Sequence, residues 1–253
     1  NGFRLDGVSE YDLTGTSVSN AGDINGDGFD DVIMGAPFAS SNGYRSGASY
    51  VFFGKASGFP VTMNLSSLDG SNGFRLDGLN TFDYFGFSVS TAGDMNGDGF
   101  DDMIIGAPRS NPNGTSSGSS FVVFGKAAGF SAEMDLTSLD GNNGFRVDGL
   151  DASDNLGLSV SGAGDINGDG FDDIIIGAYG ADPIGGTFPS AGSSYVIFGK
   201  ASGFSAALDL SNLDSSTGIR LDGAVIGDQA GSSVSGAGDV NGDGFDDLMI
   251  GAP

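Results

Sequence analysis

Short apolar runs recur along the chain between clusters of Gly, Asp, Asn and Ser. Four kinds of run follow one another in fixed order. The first lies in "GTSVSNAGD" and returns in "GFSVSTAGD", "GLSVSGAGD" and "GSSVSGAGD". The second opens "DVIMGAP", "DMIIGAP", "DIIIGAY" and "DLMIGAP". The third is "GASYVFFGK", "GSSFVVFGK" and "GSSYVIFGK". The fourth is "GFRLDG" at 2–7 and 73–78, "GFRVDG" at 144–149 and "GIRLDG" at 218–223. β-Branched and aromatic residues bounded by turn formers read as strands, here termed A, B, C and D.

The units step by 71, 71 and 74 residues. Tandem four-stranded units cannot bury both apolar faces alone, so each must pack on the next. The pattern predicts an all-β fold, a β-propeller of four-stranded antiparallel blades with about 71 residues per repeat. Residues 1–7 form the last strand of a preceding blade. Blades follow at 8–78, 79–149 and 150–223, and 224–253 supplies the first two strands of a fourth. The propeller is therefore incomplete, with three full blades and partial blades at both ends, all in one domain. Between C and D lie "LSSLDG", "LTSLDG" and "LSNLDS", which predict one helical turn. Leu65, Leu68, Leu136, Leu139, Leu210 and Leu213 are expected to face inward there.

The A–B connections carry the chemistry. They read "DINGDGFDD", "DMNGDGFDD", "DINGDGFDD" and "DVNGDGFDD". Oxygen donors at loop positions 1, 3, 5, 7 and 9 suit Ca²⁺, a hard cation that takes many oxygens in a flexible shell. The candidate ligands are Asp23, Asn25, Asp27, the carbonyl of Phe29, and Asp31. In the second loop they are Asp94, Asn96, Asp98, Phe100 and Asp102, and in the third Asp165, Asn167, Asp169, Phe171 and Asp173. The fourth set is Asp239, Asn241, Asp243, Phe245 and Asp247. One Ca²⁺ per loop, four in all, is expected. At position 8, Asp30, Asp101, Asp172 and Asp246 are expected to point outward or to bond the turn. A helix–loop–helix calcium sensor needs an acid at position 12, where this chain has Met34, Ile105, Ile176 and Ile250. The loop is thus a strand connection.

Composition narrows the function. The 253 residues carry a net charge of −24, with 33 acids against 9 bases. Only Glu10 and Glu133 are glutamates, which favours short acids held in turns. Four Ca²⁺ would leave the chain acidic, so neither nucleic acid nor an anionic membrane is expected as a partner. Cys, His and Trp are absent, which removes the usual zinc and haem ligands and Cys or Ser–His nucleophiles. No apolar run is long enough to span a membrane, so no direct membrane insertion is expected. No signal peptide is evident, and the chain opens on a repeat unit found again inside it. A natural N-terminus further upstream is therefore expected.

Phe85-Gly86, the Gly-Ala-Pro at 35–37, 106–108 and 251–253, and the acidic loops together resemble the FG-GAP repeat. That repeat builds the propellers of integrin alpha chains and of many bacterial secreted or surface proteins. The resemblance covers the whole chain. It implies a seven-bladed propeller with Ca²⁺ in the A–B loops of several blades. The Phe-Gly pair stands only in the second unit. The others have Thr14-Gly15, Leu156-Gly157 and Ala230-Gly231, and the third unit has Gly177-Ala178-Tyr179.

In an antiparallel meander, the A–B and C–D connections share one face and the B–C and D–A connections the other. The A–B loops are nearly invariant along the chain, whereas the B–C and D–A loops differ, which marks a scaffold side and a recognition side. Candidate contacts are Tyr44, Arg45, Arg109, Tyr179 and Phe188 in B–C loops and Tyr11, Phe82 and Tyr84 in D–A loops. Asp12, Asp83, Asp154 and Asp228 keep one offset and read as turn caps. Arg4, Arg75, Arg146 and Arg220 read as structural partners of a nearby Asp or carbonyl. The expectation is a non-enzymatic, calcium-binding module of a secreted or cell-surface protein that binds a protein or glycan. Two alternatives are a structural subunit that closes a propeller or filament through its open blade ends, and a propeller-borne polysaccharide-active enzyme.

Overall fold

The computed structural model describes residues 2–127, 129–183 and 189–253. Each apolar run forms a strand, and each unit an antiparallel sheet. In the first full blade, β2 (Val18–Gly22), β3 (Asp31–Ala36), β4 (Ala48–Phe52) and β6 (Gly73–Asp77) lie side by side in that order. The second has β7 (Val89–Gly93), β8 (Asp102–Ala107), β9 (Ser119–Val123) and β11 (Gly144–Asp148). The third has β12 (Ser159–Gly164), β13 (Asp173–Ala178), β14 (Ser193–Ile197) and β16 (Gly218–Asp222). Two strands, β17 (Ser233–Gly238) and β18 (Asp247–Gly251), form the last sheet, and β1 (Arg4–Asp6) stands ahead of the first blade.

The sequence pattern shows no fifth strand, yet the first two blades have one. The C–D connections hold β5 (Thr62–Asn64), β10 (Glu133–Met134) and β15 (Ala207–Asp209). Each pairs in parallel with the outer strand of the preceding blade: β5 with β1, β10 with β6, β15 with β11. At two or three residues they are too short to show a period in sequence. The expected helical turn follows directly, as 3₁₀ turns at Leu65–Ser67, Leu136–Ser138 and Leu210–Asn212. Asn64, Asp135 and Asp209 cap these turns by accepting the N–H two residues on. Leu65, Leu136, Leu139 and Leu210 are buried, while Leu68 and Leu213 are half-buried against the core.

The core lies between blades. Alternate residues of a strand point to opposite faces. Met103, Ile105 and Phe121 of the second blade meet Ile33, Val51 and Phe74 of the first. Ile104, Val122 and Phe145 meet Ile174, Ile176 and Tyr195 of the third. Both faces of a central blade are therefore covered, which is why strands B and C read as unbroken apolar runs. Main chains also touch. A Cβ on Gly35 would stand 1.8 Å from the carbonyl oxygen of Gly86 on the next blade, and one on Gly106 1.9 Å from that of Gly157. Only glycine permits that approach.

Candidate metal centres and the opposite loop face

Strand A ends in a bulge at the glycine before each acidic loop, where the register between A and B shifts. The bulge turns the chain out of the sheet so that the next residues curl back on themselves. Asp23 accepts the N–H of Asp27 at 3.0 Å through Oδ1 and that of Gly28 at 2.8 Å through Oδ2. Asn25 Oδ1 accepts the same Asp27 N–H at 2.8 Å. The oxygens at positions 1 and 3 thus meet at one point. Asp27 accepts from the N–H of Phe29 at 3.0 Å. The pattern repeats at Asp94, Asn96 and Asp98, at Asp165, Asn167 and Asp169, and at Asp239, Asn241 and Asp243.

Position 9 opens strand B. Asp31, Asp102 and Asp173 are fully buried. Asp31 holds the N–H of Ile24 at 3.1 Å with one oxygen and that of Gly54 at 2.8 Å with the other. Asp102 does so with Met95 and Gly125, and Asp173 with Ile166 and Gly199. Asp247 holds Val240. Burial pushes Asp31 and Asp173 up to about 7 and Asp102 up to about 8, with repulsion from the acids at positions 5 and 1 adding to it. The described ion pairs are all between the arginines of the outer strands and their near neighbours. No base balances these loops among the described residues. Nor do three carboxylates converge there as a ready cage. The candidate donor set is mixed: three acids, one amide oxygen and a main-chain carbonyl. It fits a cation of flexible coordination better than a small ion with rigid octahedral demands.

Position 8 differs from expectation. Asp101 reaches out of its own loop to accept the N–H of Asp23, on the preceding blade, at 2.7 Å. Asp172 does the same to Asp94 and Asp246 to Asp165. A single loop read in sequence cannot show a bond that spans 78 residues.

On the other face, the turn acids act as read. Asp83, Asp154 and Asp228 accept the N–H three residues back, those of Asn80, Asp151 and Val225. Arg4, Arg75, Arg146 and Arg220 each pair with the Asp two residues on. The candidate contacts gather at the junction of the first two blades. Tyr44 meets Phe82 at 5.3 Å and Phe38 meets Tyr84 at 5.2 Å between ring centroids. The Arg45 guanidinium lies 4.3 Å over Phe38, and that of Arg109 lies 5.8 Å over Tyr84. Tyr11 is 85% exposed and flanks a cleft of about 460 Å³ shared with Glu10, Tyr44 and Arg45. Tyr179 is half-buried and outside these ring contacts. Phe188 lies outside the described residues.

Phe38, absent from the sequence-derived set, joins this cluster by folding. Backbone angle marks it further. Tyr11, Leu13, Arg45, Phe82 and Tyr84 all have left-handed φ, between 53° and 69°. The equivalent sites of later blades carry Ser116, Ser153, Asn155, Ser190, Gly227 and Gln229. Left-handed backbone disfavours large side chains, so the first two units hold bulk there at a backbone cost.

Comparison with known proteins agrees with this architecture. The FG-GAP repeat family matches residues 14–52, 85–123, 156–197 and 230–253. Integrin alpha-PS5 of Drosophila melanogaster is 35% identical over 183 residues, covering 72% of this chain and 16% of that protein. Integrin alpha-V of Gallus gallus is 30% identical over 241 residues, 94% of this chain and 20% of its own length. Integrin alpha-IIb of Mus musculus is 30% identical over 186 residues, 72% and 16% respectively. The chain spans about a fifth or less of the length of these curated relatives. Four repeat matches, inter-blade packing and these similarities place the chain in the FG-GAP repeat family, as a partial β-propeller similar to integrin alpha chains.

Proposed function

We propose that the chain is a non-enzymatic, calcium-stabilised binding module of an extracellular or cell-surface protein, acting in adhesion. The observation that carries it is the set of four alike acidic loops, each folded around its own oxygens, with no ion pair to a base among the described residues. The likeness to integrin alpha chains supports the surface setting. Ca²⁺ would be held by the residues at positions 1, 3, 5, 7 and 9 named above. The ion supplies the positive charge that the loops lack. The chain's own part is to pre-fold the donors: N–H groups of Asp27 and Gly28 orient Asp23, and strand B carries Asp31 to the base of the loop. The ion is structural, joining strands A and B. Extracellular sites work at ~10⁻⁴–10⁻³ M. Chelation with EDTA should lower the melting temperature by at least about 10 °C, as loss of several kcal/mol does in a domain of this size. A melt that ignores both EDTA and added calcium would refute the reading.

The partner, a protein or a glycan, is assigned to the B–C and D–A loop face. The junction of Tyr11, Tyr44, Arg45, Phe82, Tyr84 and Arg109 offers rings and guanidinium groups, the side chains that dominate recognition surfaces. A second reading concerns the sheet edges. Val240 and Met249 in the last unit are 73% and 59% exposed. The counterparts of Val240 and Met249 in the second blade, Met95 and Ile104, are fully buried. That face is built to meet another blade, in the same chain or in a second copy. Sedimentation of the 253-residue chain should show concentration-dependent association. A monomer throughout the micromolar range would count against it.

A further inference from the structure

Each acidic loop after the first is fastened to the loop of the blade before it. Asp101 takes the N–H of Asp23 at 2.7 Å, Asp172 that of Asp94 at 2.8 Å, and Asp246 that of Asp165 at 2.9 Å. A Cβ on Gly22 would stand 2.2 Å from the Asp101 carboxylate, so the close fit depends on the bulge glycine. The phenylalanine before each of these acids also crosses over. A Cβ on Gly26 would stand 2.2 Å from the ring of Phe100, one on Gly97 2.4 Å from Phe171, and one on Gly168 2.4 Å from Phe245. Main chain adds a third tie: Lys126 N–H donates to Ile24 O at 2.9 Å and Lys200 N–H to Met95 O at 2.8 Å. Asp30, at the same position in the first loop, is exposed and holds none of these bonds.

The acids at position 8 lie outside the calcium donor set. What they hold is the main chain of the first donor residue of a neighbouring loop. That residue's two carboxylate oxygens are already fixed by its own loop, so its main chain is the remaining handle: Asp101 takes the Asp23 N–H with its carboxylate and gives its own N–H to the Asp23 carbonyl at 3.4 Å. The ring at position 7 covers the left-handed glycine at position 4, with φ of 72°, 71° and 74° in the three covered loops.

We propose that Asp101, Asp172 and Asp246, with Phe100, Phe171 and Phe245, are positioning residues for the calcium loop of the preceding blade, so that ion binding is coupled in series from blade to blade. The inference rests on the calcium reading above. A loop that closes on its ion fixes its own positions 7 and 9, and with them the carboxylate at 8 that lies between. That carboxylate then holds the preceding loop in its binding shape before an ion arrives there. Ordering already done need not be repeated, so the second ion binds more tightly. By linkage the effect is reciprocal.

A calcium titration followed residue by residue in the NMR spectrum tests this on the 253-residue chain. The amides of Gly28, Gly99 and Gly170 report the first three loops. Asp101→Ala should raise the half-saturating calcium concentration at Gly28 about tenfold, the worth of one hydrogen bond to a charged group. The third loop, read at Gly170, should move by far less than the first. Asp30→Ala should leave Gly28 within about twofold of the unsubstituted chain, as a surface change does. Should Asp101→Ala fail to fold, Asp101→Asn keeps the shape and one acceptor, with a loss of about threefold expected. Gly28 titrating unchanged in the Asp101 variants would overturn the proposal. So would Asp30→Ala weakening its own loop as much as Asp101→Ala weakens the first, since the acid would then act within its own loop. No calcium response at any loop of the unsubstituted chain would overturn the calcium reading itself, and this inference with it.

Discussion

At the scale of single residues, the repeat motif is a record of what neighbouring blades touch. Gly86, Gly157 and Gly231 bring a carbonyl onto the glycine of the preceding Gly-Ala unit, so both glycines persist in every described pair. The residue before them only fills a buried space, which Phe85, Leu156 and Ala230 do with different bulk. That is why Phe-Gly stands once while the Gly recurs. Asp83 shows a different tension. Its Oδ2 caps Asn80, but its Oδ1 is buried with no partner. Burial holds its pKa above the ordinary 3.8. The fold therefore favours the protonated form. Asp83 contributes most to stability below 3.8 and loses that contribution as pH rises toward its folded value. Denaturant melts of wild type and Asp83→Asn should diverge in the variant's favour as pH climbs from 3.8 toward neutrality. Parallel pH profiles for the two proteins would show that the carboxyl is not buried as described.

At the scale of elements, a blade is stable only with its neighbours attached. The short parallel strand and the 3₁₀ turn of each C–D connection cross to the blade before, and the leucine that opens the turn plugs the seam. Leu136 is 4% exposed and lies in one cluster with Phe74, Phe130 and Leu139. Leu136→Ala should cost about 2–5 kcal/mol, the range for a buried leucine whose cavity cannot collapse. Leu68→Ala, at a half-buried site, should cost less. Equal costs measured by chemical denaturation would mean that the turn is not the seam. The A–B hairpin is held differently, by acids on main-chain N–H groups rather than by apolar contact, so on the proposed calcium reading it is the element that chelation should loosen first.

At the scale of the whole molecule, charge opposes compaction. A chain at −24 repels itself, and sixteen of its acids sit in four loops that share one face. On the proposed calcium reading, the ion removes part of that load where it is densest. Without calcium, raising sodium chloride from about 0.1 M to 1 M shortens the screening length from roughly 10 Å to 3 Å and should raise the melting temperature. With calcium bound the same salt step should do less. A calcium-free melt that falls with salt would show that repulsion is not the limiting term.

The sequence by itself determined the strand repeat, its spacing and the acidic loops. These depend on local rules: period-two apolar runs, glycine at sharp turns, short acids beside N–H groups. The turn-capping role of Asp83, Asp154 and Asp228 was legible for the same reason. Tertiary structure alone decided what crosses between blades. The fifth strands are too short to carry a period. The partner of Asp101 lies 78 residues away and is the main chain of Asp23, which carries no side-chain signature of the contact. The junction of Phe38 and Tyr44 with Phe82 and Tyr84 also forms only when two connections meet in space. Each of these was hidden because a repeat shows what one blade needs, whereas contacts between blades are set by the rotation that stacks one blade on the next.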